Sequence, residues 1–223
     1  METPELLQNY LKFSELTASL KEKRKPKFER QDLLYPTILL PLANFLLEHK
    51  SVAKTFIQEN DWLTTLQSLM SDNGLLVTKE NESLPLVGLT TTDACAVRLS
   101  KNEDSNKRLS TIYDLRTKDC ECGGENSFKL LVGEIVDNIY QHSQFTNAFI
   151  MGQKYFERKF LELCFFDNGI SIPGSYRKQG FMFKDTQAIV EATRGLSTKG
   201  EERGRGLPYV VSVVTGGLGG EIL

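Results

Sequence analysis

Histidine is almost missing from this 223-residue chain, with His49 and His142 the only two. A zinc centre built on the CxC of Cys120 and Cys122 would want a second ligand pair at matching spacing, and neither histidine supplies one. The remaining cysteines are Cys95 and Cys164, and four thiols in all fit a reduced cytoplasm better than a disulfide framework. Charge of one sign is lacking too. The 27 Lys and Arg against 29 Asp and Glu leave a net charge of -2, which gives no overall reason to expect nucleic acid or an anionic membrane as partner. One local basic run, Lys21 to Lys27, is broken by Glu22 and Pro26 and reads as a solvated surface loop. Long hydrophobic runs are absent as well. The longest apolar stretch, Leu33 to Leu47, is interrupted by Pro36, Thr37, Pro41 and Asn44 and is too short for a membrane span. Met1 to Tyr10 holds Glu2, Pro4, Glu5 and Asn9 where a secretory signal needs a basic start and an apolar run. The expectation is a cytoplasmic protein that uses neither membrane nor nucleic acid as partner.

What is present is enough apolar residue, 40% of the chain, to bury a sizeable core in one large or two small domains. Helical spacing is predicted over Pro4 to Leu20 and from about Thr37 to Glu48, and Asp61 before Trp62 and Leu63 reads as an N-cap opening a third helix to Met70. Asp72-Asn73-Gly74 turns the chain into two short strand-like runs, Leu75 to Thr78 and Leu84 to Leu89. Thr92 and Asp93 are placed to cap a helix through Leu99, and Asn106 to Leu115 is a further helix. Asp119 to Asn126 is a loop by composition. Beyond it come a helix over Phe128 to His142 and strands at Phe145 to Met151 and Lys159 to Phe166, the latter entering a sheet interior. Helices follow at Asp185 to Thr193, capped by Asp185, and at Leu207 to Val214, and Glu221 to Leu223 begins a strand.

The helix Phe128 to His142 draws the chemistry together. Glu134, Asn138 and His142 are spaced four apart, so on a regular helix they line one stripe, with Leu131, Ile135 and Ile139 making an apolar stripe beside it. Downstream, Asp167-Asn168-Gly169-Ile170-Ser171-Ile172 puts an acid at a strand end, followed by a glycine that allows close backbone approach. Ser197-Thr198-Lys199 opens a polar, charged segment of the kind a mobile lid uses. Gly204-Arg205-Gly206-Leu207 sets two glycines directly before a helix, where free backbone N–H groups can hold phosphate. Two other phosphate-binding patterns are excluded. In Gly195 to Lys199 the hydroxyls precede the lysine, so this is no P-loop, and Gly204-Arg205-Gly206 neither follows a strand nor supplies the third glycine of a dinucleotide fingerprint.

In this order the four segments resemble the GHKL superfamily, the ATP-binding module shared by gyrase, the heat-shock chaperone of ninety kilodaltons, histidine kinases and mismatch-repair ATPases. GEIVDNIYQHS is similar to its N box, DNGISI to its DxGxGI box, and GRGL to its GxGL box after an STK-type lid. The resemblance covers roughly Ser127 to Leu223. It implies an α/β chain whose 96–223 part is a Bergerat-type ATP-binding fold, an α+β two-layer sandwich, preceded over 1–95 by a mostly helical or mixed N-terminal regulatory or partner domain. It further implies ATP and Mg²⁺ as cofactors, with Asn138 the metal ligand and Glu134 the base that orients the attacking oxygen. Asp167 would read the adenine amino group, Gly169 give the ring room, and Ile172 line the nucleotide site. Ser197, Thr198 and Lys199 would close over the triphosphate that Gly204, Arg205, Gly206 and Leu207 cradle. Asp137 and His142 have family counterparts, yet read equally well as a helix-face acid and a helix-end imidazole.

Two departures stand out. Ser171 replaces the second glycine of DxGxG, and the chain stops at GGEIL before the usual closing strand, so the final strand is expected to be missing or the sheet to close differently. A phosphoacceptor histidine is not evident either, since His49 lacks the acidic neighbour and the arginine, threonine and proline that usually follow. The resemblance therefore points to a bacterial regulator akin to anti-sigma-factor serine kinases, hydrolysing ATP or phosphorylating a partner protein on Ser or Thr, with a protein partner at its N-terminal part and room for a homodimer. The alternatives are an ATP-gated interaction switch with little turnover, a sensor histidine kinase-like protein without its own phosphoacceptor domain, and a plain interaction protein whose boxes are vestigial.

Overall fold

The computed structural model describes residues 5–28, 35–59, 64–71, 74–78, 92–100, 105–116, 124–156, 159–197 and 206–223. Mixed α/β structure fills them. Four helices come first, α1 (Glu5–Lys21), α2 (Pro36–Glu48), α3 (Lys50–Glu59) and α4 (Thr64–Met70), then strands β1 (Leu75–Thr78) and β2 (Thr92–Leu99), and helices α5 (Ser105–Asp114) and α6 (Glu125–Asn138). The hairpin strands β3 (Ala148–Tyr155) and β4 (Phe160–Asp167) follow, and the chain ends in α7 (Ile172–Lys178), α8 (Asp185–Thr193) and α9 (Gly206–Ser212). By packing the chain divides into two compact units, one of Met1–Cys120 with Ala148–Phe166, the other of Glu121–Asn147 with Asp167–Leu223. This division differs from one at 95/96, a position that falls inside β2.

The first unit is an antiparallel sheet in the order β1-β2-β3-β4 with helices against one face. Leu75 lies opposite Val97, and Thr92 opposite Tyr155. Side chains alternate across a strand, so Ala94 and Ala96 of β2 with Phe149 and Met151 of β3 face the apolar core built from Leu16 and Leu20 of α1, Ile38 to Leu46 of α2, Phe56 of α3, and Leu66 and Leu69 of α4. Cys95 and Val97 point to the other face, where the Cys95 thiol meets Thr111 of α5. Burial on both faces is why β2 is a strand and not the helix that Thr92 and Asp93 were expected to cap. Ala94 to Val97, within the stretch expected to be helical, are all fully enclosed. Helix α2 is buried on every side from Ile38 to Leu46, which explains its apolar run. One carboxylate enters this core. Glu162 of β4 accepts hydrogen bonds from Thr37 Oγ1 at 2.8 Å and Tyr155 Oη at 3.1 Å, and so lies at the positive end of α2.

Several other expectations need adjusting. Strand β4 occupies the end of the sheet order, not its interior. Lys184, without a side-chain bond, takes the cap position of α8, and Asp185 is its first residue, held instead by Arg177 Nη1 at 2.6 Å. Glu221 to Leu223 is irregular and exposed, not the start of a strand. Two helices, α3 and α7, were not anticipated. Asp61, Trp62, Leu63, the loop around Cys120 and Cys122, and the strand expected at Leu84 to Leu89 lie outside the described residues. Among the described residues no helix is long and apolar enough to cross a membrane.

Candidate functional site

Every described residue of the candidate site lies in the second unit, and α6 is its backbone. Phe128, Leu131, Val132 and Val136 are buried at helical spacing, with Ile139 just beyond, so this side of α6 is fixed in a core. Glu134 and Asn138 are half-buried at its edge, while Asp137 is exposed. The regular helix ends at Asn138. Residues Ile139–Ser143 form a π-helical turn, whose i→i+5 closure changes the angular step along the chain. The single stripe expected from Glu134 through Asn138 to His142 is therefore broken after Asn138, and His142 belongs to the π turn.

The far end of this helix is clamped to the turn that follows β4. Gln144 takes a left-handed conformation (φ 56°) and releases the chain from the helix. Asn168 then ties the two segments together. Its Oδ1 accepts from the Asn147 N–H at 2.8 Å and the Thr146 N–H at 3.0 Å, and its Nδ2 donates to Thr146 Oγ1 at 2.8 Å. The Ile170 N–H donates to the Ser143 carbonyl at 2.5 Å. Asp167 is half-buried, and its Oδ1 accepts from the Gly169 N–H at 2.9 Å, which fixes the carboxylate across the turn. A Cβ on Gly169 would lie 1.9 Å from the Ser143 carbonyl oxygen, so the space beside this glycine is filled by the helix end. Ser171, where a family glycine was missed, is the N-cap of α7 and accepts from the Gly174 N–H at 3.2 Å. Ile172 follows, 40% exposed.

The last turns of α6 also meet α9. A Cβ on Gly206 would stand 2.6 Å from Glu134 Oε2 and 3.6 Å from Asn138 Nδ2. Leu207 is half-buried on the same helix, which passes into a second π-helical turn at Val213–Gly217. Helix α8 packs against both α7 and α9, and the chain beyond it runs through Leu196 to the half-buried Ser197. The segment beyond carries Thr198, Lys199, Gly204 and Arg205, which lie outside the described residues. Its start is anchored by Tyr176 of α7, 2% exposed, whose hydroxyl donates to the Leu196 carbonyl. Burial, with Glu191 second, pushes the Tyr176 phenol above its ordinary value and keeps it a donor. Phe181 and Phe183 stand edge-on to its ring.

The structure thus brings Gly206 to Glu134 and Asn138 in the last turns of α6, and the Asp167–Gly169 turn to Ser143 at the end of the π turn that continues it. Sequence reasoning missed Asn168, Ser143 and Tyr176, which hold these segments in place. Asn168 was legible as an Asx side chain in a turn, whereas the other two act through contacts between distant segments. Among the described residues no group of three or more His, Cys, Asp or Glu is gathered to hold a metal by itself. The amide oxygen of Asn138 is of the kind that a hard cation such as Mg²⁺ takes as a ligand. Comparison of the chain with protein families, with curated proteins and with solved structures returns no significant match.

Proposed function

We propose that the chain is a Mg²⁺-dependent ATP-binding regulator of the GHKL kind, with the Bergerat-type fold that the sequence motifs imply and with its mostly helical N-terminal part serving a protein partner. The observation that carries this reading is the meeting of Gly206 with Glu134 and Asn138, since residues some seventy positions apart in the chain converge as a nucleotide site requires. The Asp167 turn gives independent support, because a carboxylate held by the Gly169 N–H is preoriented to accept from the adenine amino group.

In this reading Asn138 offers its amide oxygen to the metal, which when bound neutralises charge on the phosphates. Glu134 takes the proton from an attacking water, or from a partner's Ser or Thr hydroxyl, as the new P–O bond forms at the γ-phosphorus. The bond from the γ-phosphorus to the bridging oxygen breaks, and ADP carries the electrons away. Binding of ATP by the full chain, measured calorimetrically with and without Mg²⁺, tests the reading, and undetectable binding would remove it. Asn138→Ala should abolish the metal dependence. Glu134→Ala should keep binding and lose turnover; an unchanged rate rejects Glu134 as base, and binding without turnover in the natural chain favours the ATP-gated switch.

A further inference from the structure

We propose that Gly206 is a positioning residue for Glu134, because its missing side chain leaves the place that the Glu134 carboxylate occupies. The inference rests on the reading of Glu134 as base. Of the atoms around a Cβ built on Gly206, Asn138 Nδ2 at 3.6 Å and Glu134 Cδ at 3.7 Å are at ordinary contact distance, and only Glu134 Oε2 at 2.6 Å collides. That oxygen is the far end of a flexible side chain. A methyl group at 206 is therefore accommodated by moving the carboxylate, and the backbone stays in place. The backbone conformation at this position does not itself call for glycine. Gly206 is not among the residues with positive φ, and it opens a helix, where alanine is the better former. Restoring ordinary contact shifts the carboxylate by roughly 1 Å, a misplacement that costs a positioned catalytic group about 100-fold in rate.

The first test needs no nucleotide. In the full chain labelled with ¹³C-glutamate, with the Glu134 side-chain resonance identified by its loss in Glu134→Gln, Gly206→Ala should shift that resonance while Tm changes by no more than about 3 °C. An unmoved resonance overturns the proposal whether or not the chain binds ATP, so this outcome is separate from failure of the ATP reading. The second test uses Mg²⁺ and ATP. Gly206→Ala should lower kcat about 10- to 100-fold with little change in ATP affinity, and should leave the ATP affinity of the Glu134→Ala chain unchanged as well. An equal loss of affinity in both backgrounds would mean that residue 206 acts on the nucleotide directly, and overturns the proposal. Should Gly206→Ala alone lose the fold, Glu134→Asp in the same chain decides: the shorter acid clears the methyl, so recovered folding supports the proposal and continued loss overturns it.

Discussion

Two glycines of the second unit, close in space to the same helix, respond oppositely to a single methyl group. Gly169 abuts the Ser143 carbonyl, and a Cβ there would meet backbone that cannot swing aside. Gly169→Ala should therefore cost about 3 kcal/mol or more, read from its urea midpoint by circular dichroism. Gly133 sits within α6 with nothing within 4 Å of its Cβ direction, so Gly133→Ala should stabilise the chain by about 1 kcal/mol in the same measurement. Gly169 stood out as a glycine after an acid, yet the space it preserves is used by Ser143, a contact between segments that no spacing rule reveals.

Among the elements, those with one buried face were legible. Helices α1, α5 and α8 and strands β1 and β4 fall within a few residues of their expected places, because a face in contact with a core leaves its period in the sequence. Strand β2 was misread since burial on both sides erases that period, and a Thr-Asp pair then passes for a cap. Helix α3 buries only Ala53 and Phe56, too narrow a stripe to register. Helix α7 was hidden by Pro173 and Gly174, although Ser171 as cap and Pro173 in the first turn are helix-opening signals. The bond from Tyr176 to Leu196 ties α7 to the chain just beyond α8, and Tyr176→Phe should cost about 1 kcal/mol. Because the folded phenol titrates above its unfolded value of about 10, the stability it confers is complete below about pH 10 and is lost as pH rises through the folded value. A stability profile against pH in the alkaline range should show this loss in the natural chain and lack it in Tyr176→Phe.

Considered whole, the chain carries two thiols that report on its first unit. Burial pushes Cys95 up to about 11 and Cys164 up to about 12, with Glu162 adding to the latter. In a Cys120→Ser/Cys122→Ser variant at pH 8, neither should react with a thiol reagent until urea unfolds the unit, and prompt labelling of either would contradict the packing of that core. The sequence could not reveal the division into units, because the hairpin Ala148–Phe166 joins the first through the pairing of β2 with β3, contacts between segments far apart along the chain. That hairpin has a consequence for birth at the ribosome. Residues Met1–Cys120 are made first, but β2 has only β1 beside it until translation passes Tyr155, the end of β3. For the intervening period, on the order of seconds, the nascent chain presents an apolar strand with an open edge. The stretch bearing Glu134 and Asn138 is synthesised within that interval, so the candidate nucleotide helix leaves the ribosome before the first unit can close its sheet.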